Sequence, residues 1–326
     1  MSARGEGADA SGRSAEASSD AIPMSTFLLL GVLALVWGSV FPAIKVVLAE
    51  MPVLTFRALC LIAGGLGVAA LATMRGRSLA VTWPQLRWLA VLSLFNSLGW
   101  NIFTAYGLLY LPAGRAIIIG YTMPLWSVIA AALILGERIT ATKVIGLVLG
   151  FAGLAVLVGP DLVTFGDAPI GVGLVLCAAI SWGIGVVLLK WRDMGMATTV
   201  LAAWQLGLAS LPLIVAAAFV DDFDWRMSGE GWFALALVVF GGMVTAHLLW
   251  FTIVKRLPAS IASISTLVIP VIGVIVGSLW LGETVGAAEI GALALVVAGL
   301  FVVLVLPSLR GKRLRRPKPG PNQSLP

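Results

Sequence analysis

The sequence predicts an all-α polytopic membrane protein, with ten transmembrane helices arranged as two five-helix repeats of opposite orientation. Three observations carry this. Of the 326 residues, 60% are hydrophobic and only 11% charged, where an average soluble domain has about 25% charged residues. Apolar runs fill almost the whole stretch from Met24 to Leu306, and a bilayer-spanning helix takes roughly 20 such residues. The two halves also share the same punctuation. A water-soluble globule is excluded, and no room remains for a separate catalytic domain.

The elements follow in order. Before the first apolar run, Arg4 and Arg13 mix with Glu6, Asp9, Glu16 and Asp20 among small residues. This lacks the basic start and apolar centre of a signal peptide, so residues 1–24 read as a disordered cytoplasmic tail. Pro, Gly and charge then divide the apolar sequence into spans at approximately 25–48, 52–74, 87–110, 113–135, 140–159, 170–190, 196–219, 231–254, 258–281 and 285–306. The first repeat is expected over 25–159 and the second over 170–306, joined by an external linker at 160–169. Residues 307–326 form a basic tail.

An even number of spans puts both termini on one side, and Lys and Arg accumulate in cytoplasmic loops. With cytoplasmic termini, the inner loops hold Arg75, Arg77, Arg87, Arg138, Lys143, Lys190, Arg192, Lys255 and Arg256, and the last tail adds six more cations. The outer loops hold one, Arg226, beside Asp161, Asp167, Asp221, Asp222, Asp224 and Glu230. The net charge of +6 is therefore an orientation signal rather than a nucleic-acid footprint. Cys60 and Cys177 both lie in apolar runs, and with His247 the one histidine, neither a disulfide framework nor a metal site is expected.

The repeat is legible residue by residue. Trp37-Gly38 with Lys45 recurs as Trp182-Gly183 with Lys190. Leu111-Pro112-Ala113, Pro124 and Leu135-Gly136-Glu137 recur as Leu257-Pro258-Ala259, Pro270 and Leu281-Gly282-Glu283, at one offset of 146. Because each half has an odd number of spans, the second is expected to insert upside down. Carriers built this way hold their solute near the midplane, where the repeats meet.

These doubled signatures, covering residues 25–306, resemble the EamA-type exporters of the drug/metabolite transporter superfamily. The chain is also similar to the bacterial amino-acid exporters within it, the aromatic amino-acid group in particular. The resemblance implies a ten-helix export carrier for small metabolites in the inner membrane, with no cofactor.

Several residues are candidates for the solute path. Pro124 and Pro270 are expected near the middle of the fourth and ninth spans. Each frees a backbone carbonyl there, which a bilayer tolerates only where other helices or a watered cavity satisfy it. A plain structural kink is the alternative. Trp37, Phe41 and Lys45 fall on one helical face, as do Trp182, Val186 and Lys190. Lys190 is expected at the cytoplasmic end, where snorkelling is the simple reading. Lys45 breaks the charge rule, so it either faces an outer vestibule or bonds helix-terminal carbonyls. Asn96, Trp100 and Phe103 share a face of the third span, and Asn101 is equivalent to His247 at the 146 offset. A shared cavity or interhelical bonding would each meet the cost of these polar groups.

Tyr121 and Trp126 flank Pro124, and Trp250 follows His247. Trp37, Trp100, Trp126, Trp182, Trp204 and Trp250 are the midspan candidates among twelve tryptophans; Trp83, Trp88, Trp191, Trp225 and Trp232 belong at the interfaces. An aromatic pocket with few polar groups suits an amphiphilic or aromatic solute, or a cation. Arg57 and Arg115 are embedded near the external face, to pair with a solute carboxylate or with Glu50 and Glu283. Gly146-x-x-x-Gly150 permits close helix approach but is weak evidence among 37 glycines.

No phosphate-binding Gly-x-x-x-x-Gly-Lys-Ser/Thr loop occurs, so this chain does not hydrolyse ATP through one. With all 15 acidic residues in tails, loops or towards helix ends, no carboxylate proton relay is expected. The reading is facilitated export of amino acids or similar metabolites by alternating access. The substrate-binding set is Trp37, Trp100, Asn101, Tyr121, Trp182, His247 and Trp250, and the gating set is Pro124, Pro270, Lys45 and Lys190. The alternatives are proton-coupled export through His247, export of drugs or quaternary amines, and, more distantly, a membrane enzyme. The partners are a small solute and the bilayer, and a monomer suffices.

Overall fold

The structure, a computed structural model, describes residues 24–163, 168–222, 224–246, 249 and 259–306. His247, Trp250, Lys255, Arg256, residues 1–23 and residues 307–326, on which the sequence places expectations, lie outside the described residues. Regular structure among the described residues is helical throughout. The helices are α1 (Met24–Leu48), α2 (Val53–Met74), α3 (Trp83–Tyr110), α4 (Ala113–Leu135), α5 (Ala141–Val163), α6 (Ala168–Trp191), α7 (Thr198–Val220), α8 (Gly229–Thr245), α9 (Ala259–Leu281) and α10 (Ala287–Val305). Eight of these are long and apolar enough to cross a membrane; the described parts of α8 and α9 that were assessed, Gly229–Thr245 and Leu267–Leu281, are shorter apolar stretches. The chain is a polytopic membrane protein.

Local chemistry places the helix ends. Gln85 Oε1 accepts from the Thr82 backbone N–H at 2.8 Å and opens α3, with Pro84 in its first turn. Asp221 Oδ2 accepts from Thr55 N at 2.8 Å, setting a negative charge on the first turn of α2. Gly136 and Gly282 each follow a helix with φ of +66°, the left-handed conformation that ends a helix cheaply only when Cβ is absent. The Leu-Gly-Glu signature is thus a helix stop followed by a carboxylate.

Three helices contain wide turns. Ser93–Gly99 of α3, Leu237–Thr245 of α8 and Phe301–Val305 of α10 are π-helical, and the first two are equivalent at the 146 offset. None of them contains a proline, and apolar periodicity alone does not reveal them. Within α3, Ser181 Oγ of α6 donates to the Phe95 carbonyl at 2.7 Å, and Ser93 Oγ donates to the Gln205 carbonyl of α7 at 2.8 Å. Hydroxyls from and to neighbouring helices thus supply partners where the ladder is disturbed.

Packing follows the repeat. The principal contacts are α2 on α7, α5 on α10, α1 on α9, and α6 on both α4 and α3. Exchanging the halves maps α2/α7 and α5/α10 onto themselves and α1/α9 onto α6/α4. The main buried cluster draws Phe41, Ile44 and Val47 of α1 together with Ile117 and Leu125 of α4, Val175 of α6 and Ile269 of α9. Apolar side chains cover the outside, with Leu66, Leu133, Phe219 and Leu279 largely exposed, as contact with lipid tails requires.

The small residues make these contacts close. A Cβ on Gly38 would lie 2.6 Å from Ile272 Cγ2 and 3.2 Å from Gly273 N, and one on Gly183 would lie 2.9 Å from Ser127 N. Ile272-Gly273 and Trp126-Ser127 are themselves equivalent, each just after a proline. The Trp-Gly signature therefore marks where α1 meets α9 and α6 meets α4. The weak Gly146/Gly150 signal is also an interface, since a Cβ on Gly299 of α10 would sit 2.7 Å from Gly146 O and 2.9 Å from Gly150 N.

The expectation for the two prolines divides. The helix of α4 is interrupted at Tyr121–Thr122 and resumes at Met123 with Pro124 in its first turn, because the proline has no N–H to continue the ladder. Pro270 lies inside helix Ala259–Leu281 without an interruption; the mid-span break expected there is absent, and the proline is accommodated within a continuous helix.

Candidate functional site

Two constructions emerge from these elements, an aromatic centre and a pair of charged links. At the centre, Trp100 of α3 packs edge-on against Phe41 of α1 (centroids 6.4 Å) and Trp182 of α6 (5.3 Å). Gly120 lies beneath them, its missing Cβ 3.4 Å from both Phe41 Cζ and the Trp100 ring. Tyr121 follows at the α4 break and packs against the same core. Trp37 Nε1 donates to the Gly242 carbonyl inside the π segment of α8 at 3.3 Å. Five predicted residues, Trp37, Trp100, Asn101, Tyr121 and Trp182, thus lie on the helices that meet here. Aromatic pairs of this geometry contribute about 0.5–1.5 kcal/mol each beyond burial.

Asn101 is buried, and its Nδ2 donates to Ser97 O at 2.8 Å. Its Oδ1 accepts from Arg57 Nη1 at 3.2 Å. Arg57 is only 2% exposed, and its expected carboxylate partner is not there: Glu50 instead accepts from Ser228 N and Oγ, both at 2.6 Å. Those bonds, the side-chain one foremost, hold the Glu50 carboxyl below the usual carboxylate range. Arg115 pairs with Glu289 at 3.5 Å and donates to Leu157 O, so Glu283 is not its partner either.

Two other midspan tryptophans, Trp126 and Trp204, serve structure. Trp126 Nε1 donates to Thr122 Oγ1 at 3.2 Å and its ring meets Phe151 edge-to-face, with centroids 5.1 Å apart. Trp204 Nε1 donates to Leu79 O at 2.9 Å, which ties α7 to the loop before α3 rather than lining a path. Trp83, Trp191, Trp225 and Trp232 are exposed, as expected of interface residues.

The charged links join the halves reciprocally. Lys45 Nζ donates to the Leu111 carbonyl at 2.7 Å and lies 3.6 Å from Glu283, so it bonds a helix-terminal carbonyl rather than standing free. Glu283 also accepts from the N–H groups of Ala113 and Gly114 at 2.6 and 2.9 Å, capping α4 from the other half of the chain. Its equivalent, Glu137, accepts from Lys190 and from Lys143, the latter at 3.0 Å. The Lys of each Trp-Gly signature therefore meets the Glu of the other half's Leu-Gly-Glu. Sequence reading found all four residues but not their pairing, since an offset relates equivalents and not partners.

Two cavities lie apart from the aromatic centre. One of about 380 Å³ is lined by Pro84, Arg87, Trp88, Val91 and Arg192, and one of about 270 Å³ lies between α2 and α8, against Leu59, Trp232 and Phe240. Among the described residues no cluster of His, Cys, Asp and Glu is placed to hold a metal.

Known proteins match this architecture over nearly its whole length. The profile of the EamA-like transporter family matches residues 24–159 and again residues 169–305. The chain is 33% identical over 284 residues to the uncharacterized transporter YvbV of Bacillus subtilis, covering 85% of this chain and 91% of the relative. It is 28% identical over 297 residues to a protein of Streptantibioticus cattleyicolor named "Probable terminal-alkyne amino-acid exporter", covering 87% and 94%. A solved crystal structure superposes with TM-score 0.61 at 25% identity, covering 90% of this chain and 99% of that one. The chain belongs to the EamA-like transporter family and is a membrane transporter of that type.

Proposed function

We propose that this transporter exports amino acids, aromatic ones included, by alternating access and without ATP, its two halves lying in opposite orientations with both termini in the cytoplasm. The observation that carries the reading is the aromatic centre, where Trp100 contacts Phe41 of its own half and Trp182 of the other. A solute side chain seated there touches both halves at once, so relative movement of the halves changes its access. Trp37, Trp100, Tyr121 and Trp182 supply apolar faces, and Asn101 supplies a polar group beside them; His247 and Trp250 complete the proposed set from the sequence alone. The exporter name of one relative supports amino acids as the solute class.

The Lys45–Glu283 and Lys190–Glu137 links act as gates in this proposal, one for each end of the pathway. Each ties one half to the other by a contact that a small rigid-body rotation breaks. The α4 interruption at Tyr121–Thr122 provides the flexible point, with Pro124 closing off the ladder beyond it. With acidic side chains at helix ends and loops, no carboxylate relay is available for proton coupling, which favours facilitated movement down the solute gradient.

Counterflow in proteoliposomes tests this. Preloaded L-phenylalanine is expected to drive saturable uptake of labelled L-phenylalanine with the membrane potential and pH gradient collapsed. Transport that vanishes on collapsing the gradients would replace facilitated movement with ion coupling. Equal competition by unrelated quaternary amines would replace amino acids as the solute class.

A further inference from the structure

Some residues that serve the architecture come in pairs across the halves, Gly38 and Gly183, Lys45 and Lys190, Gly136 and Gly282, Glu137 and Glu283, while others, Arg115 among them, do not. Arg57 is also unpaired. Its equivalent at the 146 offset is Ala203, and Asn101, which it contacts, is equivalent to His247. The side chain is 2% exposed on a membrane-crossing helix, and among the described residues none of the ion pairs includes it. Its Nη1 bonds a neutral amide and its Nε has no partner. One turn beyond Asn101, Thr104 is 1% exposed and its Oγ1 also lacks a partner.

Besides that amide the guanidinium meets the Phe56 ring, its Cζ 4.8 Å from the centroid, and a buried cation with no anionic partner is costly. Desolvating the cation is not repaid by a counter-charge, and intramembrane cations persist where they pair or bind. A tie between α2 and α3 needs no charge, because a neutral amide pair would serve it. The planar fork of Arg matches a carboxylate through two parallel N–H bonds, and Nε, which is one edge of that fork, is the atom left open.

We infer that Arg57, steadied by Asn101, is the receptor for the carboxylate of the transported solute. This rests on the amino-acid export reading and narrows it: the solute must bear an acid group, and an amine with the same side chain is refused. Among the described residues no anion compensates the Arg57 charge, and a solute carboxylate does so on binding, so binding and charge compensation are one event. The aromatic centre then reads the side chain.

The test uses full-length protein, with L-phenylalanine, 3-phenylpropionate and phenethylamine as probes of one ring with different ionic groups. In detergent, both carboxylates are expected to raise the melting temperature of the wild type, and phenethylamine is not. Arg57→Met is expected to melt higher than the wild type without ligand, because an unmatched charge is gone, and to lose the carboxylate-induced shift. A residue retained only as a structural tie would instead melt lower when replaced. Arg57→Lys keeps the charge but not the fork, so half-saturation for phenylalanine counterflow is expected to rise tenfold or more; this variant carries the test where Arg57→Met does not fold. Equal shifts by amine and carboxylate, no wild-type shift with either carboxylate, a retained shift in Arg57→Met, or unchanged half-saturation in Arg57→Lys would each overturn the assignment. An Arg57-dependent shift with 3-phenylpropionate in a protein that shows no amino-acid counterflow would leave the carboxylate receptor standing and refute the amino-acid reading.

Discussion

Replacing Gly183 and Gly173 by alanine is expected to move stability in opposite directions, although both glycines lie on α6 and the chemical change is the same. At Gly173 an added Cβ meets nothing within 4 Å, so only chain entropy and helix preference count, and alanine should add about 0.4–1 kcal/mol. At Gly183 the same atom would lie 2.9 Å from Ser127 N, 3.0 Å from Trp126 Cβ and 3.1 Å from Trp126 C. Two of these are backbone atoms, so the contact opens only by moving α6 off α4. Overpacking of this kind costs about 1–3 kcal/mol, which more than cancels the entropic gain. At about 2 °C per kcal/mol for a large chain, Gly183→Ala should melt about 2–6 °C below Gly173→Ala in detergent. Gly38→Ala should fall less than its bare distances imply, because its nearest neighbour is the Ile272 side chain at 2.6 Å, while the closest backbone atom is at 3.2 Å. Thermal melts followed by monodisperse recovery would measure all three. If Gly183→Ala melts at or above Gly173→Ala, the α6/α4 approach is not as close as described, and the structural account of the Trp-Gly signature fails.

Removing Glu283 leaves the Ala113 and Gly114 N–H groups at the start of α4 without their acceptor, so Glu283→Ala should cost about 1.5–3 kcal/mol. Glu137→Ala, whose lysine partners Lys190 and Lys143 are 69% and 26% exposed, should cost less, because solvent screens the pairs; melting temperatures in the reverse order would sink the capping role. The Glu137 carboxyl is held below the usual carboxylate range by the hydrogen bond from Lys190 and then that from Lys143. Its contribution is therefore present above the unfolded carboxylate pKa and is lost as pH falls through the lower folded value. Melting temperature should accordingly decline more steeply with acid in the wild type than in Glu137→Gln, and parallel curves would contradict this. Trp100→Ala removes both ring contacts at the aromatic centre and should raise half-saturation for L-phenylalanine more than for L-alanine in competition counterflow; equal changes would remove Trp100 from side-chain recognition. Trp204→Phe loses the bond to Leu79 O and is expected to destabilise by about 1 kcal/mol with half-saturation unchanged; a solute-dependent effect would return Trp204 to the site.

Apolar run length, the 146-residue offset and the doubled Trp-Gly, Pro and Leu-Gly-Glu marks were enough to define the membrane class and two related halves. These features follow from bilayer thickness and backbone chemistry, both local to a segment. Pro124 shows how far such reasoning extends: proline removes a donor wherever it stands, so an interruption beside it could be foreseen. Its equivalent Pro270 shows where it ends, since the same lost bond is absorbed within a continuous helix by surroundings that the segment itself does not specify. The π turns at Ser93–Gly99 and Leu237–Thr245 were invisible for a similar reason, as their partners come from other helices.

Partner choice belongs to the tertiary structure. Arg57 was recognisable as an embedded cation, yet Glu50, its expected partner, caps the start of α8, and Arg57 faces Asn101 instead. Lys45 and Lys190 were recognisable as equivalents, yet only packing showed that each meets the glutamate of the opposite half. Hydropathy and punctuation record what one stretch of chain needs from its solvent. Charges and small residues record what it needs from another stretch, and which one supplies it is decided when the helices assemble.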